Sequence, residues 1–191
     1  RINPRGTVKC NGLECSWCGR HKRKELSDYL EMALQWNTRN GGRNVFGTMT
    51  QQVQTDANCV LAASKALGEV LKRVDKWNTK NKTEIGMFTT QETLFSPKQK
   101  FHPYRDTTGG KFGIGFHSHV HFILLIPKRD EPKVSRLLEL MRTWWVNSIE
   151  KHGGIVFRHN SKNLINHDVA YKVEKDVPPD KAISRYITKH L

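Results

Sequence analysis

The sequence predicts an α+β domain built on a central antiparallel sheet, with two long helices packed on one of its faces. Three observations lead there. Long apolar stripes at helical spacing alternate with short runs rich in β-branched residues. Glycine and proline pairs stand at the boundaries, as Gly41-Gly42, Gly153-Gly154 and Pro178-Pro179. One run, Gly115-Phe-His-Ser-His-Val-His-Phe-Ile-Leu-Leu-Ile-Pro127, alternates histidines with apolar residues and reads as a core strand.

Taken in order, residues 1–40 form a small cysteine-rich arm and a helix, whose stripe is Leu26, Tyr29, Leu30, Ala33, Leu34 and Trp36. Residues 41–191 form the main domain. Val45 to Val53 is the first strand, and Asp56 or Asn58 caps the helix that follows. That helix carries Val60, Leu61, Ser64, Leu67, Val70, Leu71, Val74 and Trp77 on its stripe. Glu84 to Phe95 is the second strand and the histidine run the third. Asp130-Glu-Pro132 opens a helix with stripe Val134, Leu137, Leu138, Met141, Trp144, Trp145, Ser148 and Ile149. Strands at Ile155–Phe157 and Asp168–Val173 precede a last helix from Lys181 to Leu191. The order βαββαβ is that of a ferredoxin-like or RRM-like core, which leaves one sheet face for the last helix and a substrate.

Lys plus Arg number 32 against 18 Asp plus Glu, so the formal net charge is +14. Such an excess predicts a polyanionic partner, and nucleic acid is the usual one. No apolar run is long enough to span a bilayer and no signal peptide is evident, so a cytoplasmic protein without a membrane partner is expected. The chain opens on Arg1, which predicts a piece of a longer protein.

The histidines carry the chemistry. In an extended strand alternate side chains share a face, so His117, His119 and His121 point one way, while Phe116, Val120, Phe122, Leu124 and Ile126 point the other. Imidazoles at that spacing suit a metal whose remaining ligands come from elsewhere in the fold. A second cluster, Cys10, Cys15 and Cys18 with either His21 or a residue upstream of Arg1 as fourth ligand, has the spacing of a structural zinc knuckle, with Gly19 providing the tight turn after the CxxC. The long connection 96–111 interleaves Lys98, Lys100, Arg105 and Lys111 with Phe101 and Tyr104, a mixture of cations and rings suited to single-stranded nucleic acid. In the last helix Tyr186 and Lys189 lie one turn apart on one face, with Arg185 and His190 adding charge. A phenol, with a pKa of about 10, needs nearby charge to act as a nucleophile. Lys189 is placed to stabilise the phenolate, the phosphate or the leaving oxygen.

These motifs together resemble the HUH endonucleases, in the form found in rolling-circle plasmid replication initiators. Gly115-Phe-His-Ser-His-Val-His121-Phe-Ile-Leu resembles their histidine-hydrophobic-histidine strand, with Ser118 where proline is common. Ala182-Ile-Ser-Arg-Tyr186-Ile-Thr-Lys189 resembles their Tyr-x-x-Lys nucleophile helix, and Arg43-Asn-Val-Phe-Gly-Thr-Met-Thr50 their first strand. The resemblance implies the HUH endonuclease fold and cleavage of one DNA strand at an origin. Tyr186 becomes joined to the 5′ phosphate and a 3′-OH is left for a polymerase. It implies a divalent ion, Mn²⁺ or Mg²⁺, bound by His119, His121 and an acidic residue of the neighbouring strand. Glu92 occupies that position, with Glu84 as the fallback, and His117 is left as an outer partner or a DNA contact. Single-stranded or hairpin origin DNA is the implied substrate, with a host helicase and polymerase as partners. Some initiators carry a glutamate one turn before the tyrosine, whereas this chain has Ala182 there and Asp180 as the nearest acid.

Three other readings compete. A transposase of the same superfamily shares the chemistry, whereas a relaxase would carry its tyrosine before the histidines. A non-catalytic zinc-binding nucleic-acid module would use the histidines only to line a basic sheet. A hydrolytic metalloenzyme would need an aspartate that the histidine motif lacks.

Overall fold

The computed structural model of the chain describes residues 18–52, 54, 56–96, 115–156, 158–159, 164–165, 171–174 and 181–188. Expectations that rest on Cys10, Cys15, Lys98, Lys100, Tyr104, Arg105, Lys111 and Lys189 lie outside them, as does the side chain of Cys18. The elements are α1 (Cys18–Arg39), β1 (Arg43–Thr50), α2 (Asn58–Asn81), β2 (Gly86–Ser96), β3 (Gly115–Ile126), a 3₁₀ turn (Lys128–Asp130), α3 (Glu131–Lys151), β4 (Arg158–His159), β5 (Leu164–Ile165), β6 (Tyr171–Glu174) and α4 (Lys181–Thr188). The main sheet is antiparallel in the order β2-β3-β1-β6. This is the strand order of a βαββαβ core, with β3 and β1 at its centre.

The pleat of β3 divides the molecule into two apolar layers. Val120, Phe122, Leu124 and Ile126 point toward α2 and α3, where they meet Ala63, Ala66, Val70, Leu137, Met141 and Trp145. Ile123 points the other way and packs with Phe46, with Leu30 and Leu34 of α1, and with Ile187 of α4. The N-terminal helix is therefore part of the layer over the histidine face. A side-chain network holds it there: Asn37 Nδ2 donates to Asn44 Oδ1 at 2.8 Å, and Asn44 Nδ2 donates to Thr38 Oγ1 at 3.0 Å. At the turn between them Gly42 has no room for a side chain, because a Cβ would lie 2.6 Å from the Ile126 carbonyl oxygen.

Several expectations need correction. Helix α1 begins at Cys18, so Gly19 lies within the helix and makes no tight turn; the run of helix-favouring Arg and Lys residues behind it extends the element. Its buried stripe is narrow (Ser27, Leu30, Leu34, Asn37), and Tyr29 and Trp36 face solvent at 56% and 67% exposure. In α2 the small residues Ala62, Ala63 and Ala66 meet the sheet, while Leu61 is exposed. Close approach of a helix to a sheet favours alanine over leucine at the contact. The expected first strand ends early, at Thr50, because Gln51 turns inward and donates from Nε2 to the Cys59 carbonyl at 2.6 Å. Ile155 and Val156 are not in a strand; β4 follows them and pairs only with β5. Neither Asp56 nor Asn58 is the cap: the N-cap position is Ala57, with no side-chain cap, and Asp56 just before it accepts from the Asn58 backbone N–H through Oδ1 at 2.8 Å.

The C-terminal end of α3 is joined to the middle of α2 through Glu69. Its carboxylate accepts from Lys151 Nζ at 2.6 Å and Ser148 Oγ at 2.9 Å, and meets His152 Nε2 at 2.9 Å. The Lys151 and His152 contacts, then the Ser148 hydroxyl, hold the Glu69 pKa down at about 2. A carboxylate depressed in the folded state stabilises at pH above its unfolded value, and that contribution is lost as pH falls through the folded value. The melting temperature of the wild-type chain should therefore fall between pH 4.5 and about 2 partly through this group. Circular dichroism melts of Glu69→Gln should show a shallower fall in that window, and an unchanged slope would remove Glu69 from the account.

Candidate metal centre

The register of the sheet builds a polar row on the face covered by α1 and α4. Directly opposed residues of an antiparallel pair point to the same side. Glu92 of β2 opposes His119, and Thr90 opposes His121. On the other edge of β3, Thr48 of β1 opposes His121, and Lys172 of β6 in turn opposes Thr48. The sheet thus gathers Glu92, His119, His121, Thr48, Thr90 and Lys172 on one face.

Glu92, His119 and His121 offer ligand atoms that all lie within 4.8 Å of one another. Glu92 Oε2 is 2.8 Å from His119 Nε2 and 3.4 Å from His121 Nε2. Ligands at right angles on one ion, each about 2.1 Å from it, lie about 3.0 Å apart, so a divalent cation fits this group. The three side chains are 12% (His119), 7% (His121) and 15% (Glu92) exposed, which limits competition from water while leaving a way in. Two imidazoles and a carboxylate are borderline donors of the kind divalent first-row metals accept.

The surroundings orient the ligands. Thr48 Oγ1 lies 3.1 Å from His121 Nδ1. With that nitrogen engaged in a hydrogen bond, Nε2 is directed at Glu92, which is how outer partners orient ligating histidines. Phe46 stacks on the same imidazole at 5.7 Å between centroids and 17° between planes. Thr90, 2% exposed, has a buried hydroxyl with no hydrogen-bond partner among the described residues. An orphaned donor on the histidine face is the state expected of a group that completes its bonding to something bound there.

Helix α4 lays Tyr186 over this face. The phenol oxygen is 3.4 Å from His121 Nε2, and the ring meets the imidazole edge-on at 5.2 Å. Phe46 supports it from below in an edge contact at 6.2 Å. Ile183 and Ile187 pack into the layer beneath, so the helix is held by its apolar side while Tyr186 stays 43% exposed.

The sequence-predicted residues separate clearly. Glu92, His119, His121 and Tyr186 come together. His117 stands one step along the strand, opposite Leu94, with its ring 5.2 Å from that of His119. Glu84 precedes β2, at the end away from Glu92, and its carboxylate pairs with Arg129 Nη2 at 2.8 Å, so it is no alternative to Glu92. Ser118 faces away, buried among polar groups, where it accepts from Gln91 Nε2 at 2.9 Å. Tyr171 lies on the opposite face, stacked on Phe122 at 5.6 Å, and burial pushes its pKa well above the ordinary phenol value. Its hydroxyl therefore lies away from this centre. His21 is on the exposed side of α1 and Arg185 is exposed beside Tyr186.

Thr48, Phe46 and Lys172 were not singled out from sequence. Only the pairing of β1 with β3 and of β1 with β6 identifies them, since a threonine or phenylalanine in a strand carries no signal by itself.

No protein-family model, curated protein or solved structure matches the chain. Among the described residues no helix is long and apolar enough to cross a membrane.

Isothermal titration with Mn²⁺ should report one site on the wild-type chain. His119→Ala is expected to abolish it, and Thr48→Val to weaken it by about tenfold or more through loss of the outer hydrogen bond. Unchanged affinity in both variants would remove this group as a metal centre.

Proposed function

We propose that the protein is an HUH-type, metal-dependent, site-specific DNA nickase and strand transferase that starts rolling-circle replication of a plasmid or phage. The observation that carries this reading is the 3.4 Å approach of the Tyr186 hydroxyl to His121 Nε2, within a group able to hold a divalent ion. A nucleophile has little use for such a position unless the reacting phosphate also lies there.

In this reading Glu92, His119 and His121 hold Mn²⁺ or Mg²⁺. The ion would withdraw charge from a non-bridging phosphate oxygen and hold the phosphorus for in-line attack. The Tyr186 oxygen forms a bond to phosphorus as the bond to the 3′ oxygen breaks. The phenol loses its proton, the leaving oxygen gains one, and the products are a 5′-phosphotyrosine and a free 3′-OH. The reverse reaction rejoins the strand. Phe46 and the stacked His121 ring fix the height of the phenol above the sheet, which favours a near-attack geometry. Lys172, on the same face through its pairing with Thr48, adds a cation to those supplied by α4. The formal charge of +14 supports a polyanionic substrate.

The test is covalent capture. Incubation with Mn²⁺ and a labelled origin oligonucleotide, followed by denaturing electrophoresis, should give a protein-linked label. Tyr186→Phe should abolish that band while DNA affinity stays within about twofold, since one exposed hydroxyl contributes little to phosphate binding. A persistent adduct in Tyr186→Phe would assign the nucleophile elsewhere.

A further inference from the structure

Beside the nucleophile helix lies a groove that the chemistry above does not use. It runs between α1 and α4, has a volume of about 530 Å³, and is lined by Arg20, Arg23, Lys24, Ser27, Asp28, Arg185 and Thr188. Four cations face one carboxylate there. Arg20, Lys24 and Arg185 are exposed, and none of the three joins an ion pair with another described residue. Ser27 is only 5% exposed, yet its hydroxyl has no hydrogen-bond partner among the described residues. A buried hydroxyl without a partner is costly, and an anionic oxygen is a strong acceptor for it. Thr188, by contrast, spends its hydroxyl on the Ser184 carbonyl at 2.8 Å.

Arg185 precedes Tyr186 directly, and consecutive helical residues project about 100° apart. One flank of α4 therefore faces the metal centre and the adjoining flank faces the groove. We infer that the groove between α1 and α4 binds the phosphate backbone of single-stranded DNA and leads the strand to Tyr186. This rests on the nickase reading, which supplies the reason for a strand to pass there. The first turns of α1, which in sequence look like the tail of a zinc arm, become part of the substrate path. Guanidinium groups suit phosphate oxygens through paired N–H donors, and three arginines line this groove. An open groove takes a flexible strand more readily than a stiff duplex.

The test separates the groove from the chemistry. Fluorescence anisotropy with labelled oligothymidylate, without metal, compares the parent chain with Arg20→Gln/Lys24→Gln/Arg185→Gln. All three positions are exposed, so the fold should survive, and circular dichroism checks it. Loss of three phosphate contacts from a single strand should lower the slope of log K against log salt by about 2 and the affinity by about tenfold or more. A control, Lys72→Gln/Lys76→Gln/Lys80→Gln, removes the same charge from exposed positions of α2 on the other side of the sheet. It should bind within about twofold of the parent. Equal losses in both variants, no loss in the groove variant, or tighter groove-dependent binding of the annealed duplex would overturn the proposal. Adduct formation by the parent is scored separately. Its failure would sink the nickase reading and leave a groove that binds single strands.

Discussion

The histidine strand has to serve two faces at once, and the rest of the structure follows from that demand. Strand β3 is central, so both of its faces are covered. Its even positions, Val120, Phe122, Leu124 and Ile126, fill the core under α2 and α3. The odd positions can then carry imidazoles only if the opposite face is partly polar and has its own cover. A slip of one residue would place His119 and His121 in the apolar core and Val120 and Phe122 on the polar face. Burying two unpartnered imidazoles there would cost several kcal/mol. The apolar residues thus lock the register that brings Glu92 opposite His119 and Thr48 opposite His121.

That face is divided between apolar and polar groups. Leu30, Leu34, Phe46, Ile123 and Ile187 form a dry patch at one end, and the group of Glu92, His119 and His121 lies beyond it. The patch fixes α1 and α4 without spending any of the polar residues. Phe46 belongs to both regions, since it packs with Ile123 and Ile187 and also stacks on His121. A single aromatic ring so couples the packing of α4 to the position of the phenol. The groove on the other side of α4 shares the same helix, so one apolar anchor positions both Tyr186 and the adjoining arginine.

Much of this was legible in the chain. The period-two alternation from Gly115 to Ile126 identified the strand and its two faces, and the βαββαβ order followed from the stripes and the glycine pairs. Glu92 was reached through the family resemblance, and the structure places it against both histidines. What escaped was whatever depends on partners distant in sequence. Thr48 is 73 residues from His121, and nothing local marks it as its partner. The buried stripes of α1 and α2 are narrower than the apolar periodicity predicts. Periodicity identifies a face, while the width of the buried strip depends on how closely the sheet approaches, so Trp36 and Leu61 end in solvent. The short ladder of β4 and β5 leaves no signal in the sequence, because two-residue strands give no pattern to count.

Underlying all of this is the claim that a tyrosine from the last helix and a cation held in mid-sheet work on one phosphate. Anomalous diffraction at the manganese edge, on crystals of Tyr186→Phe grown with Mn²⁺ and a short origin strand, looks at it directly. The account predicts a peak bonded to Glu92, His119 and His121, with a DNA phosphate between that ion and the ring of residue 186. A peak on other residues, or a phosphate bound away from both ion and ring, would contradict it.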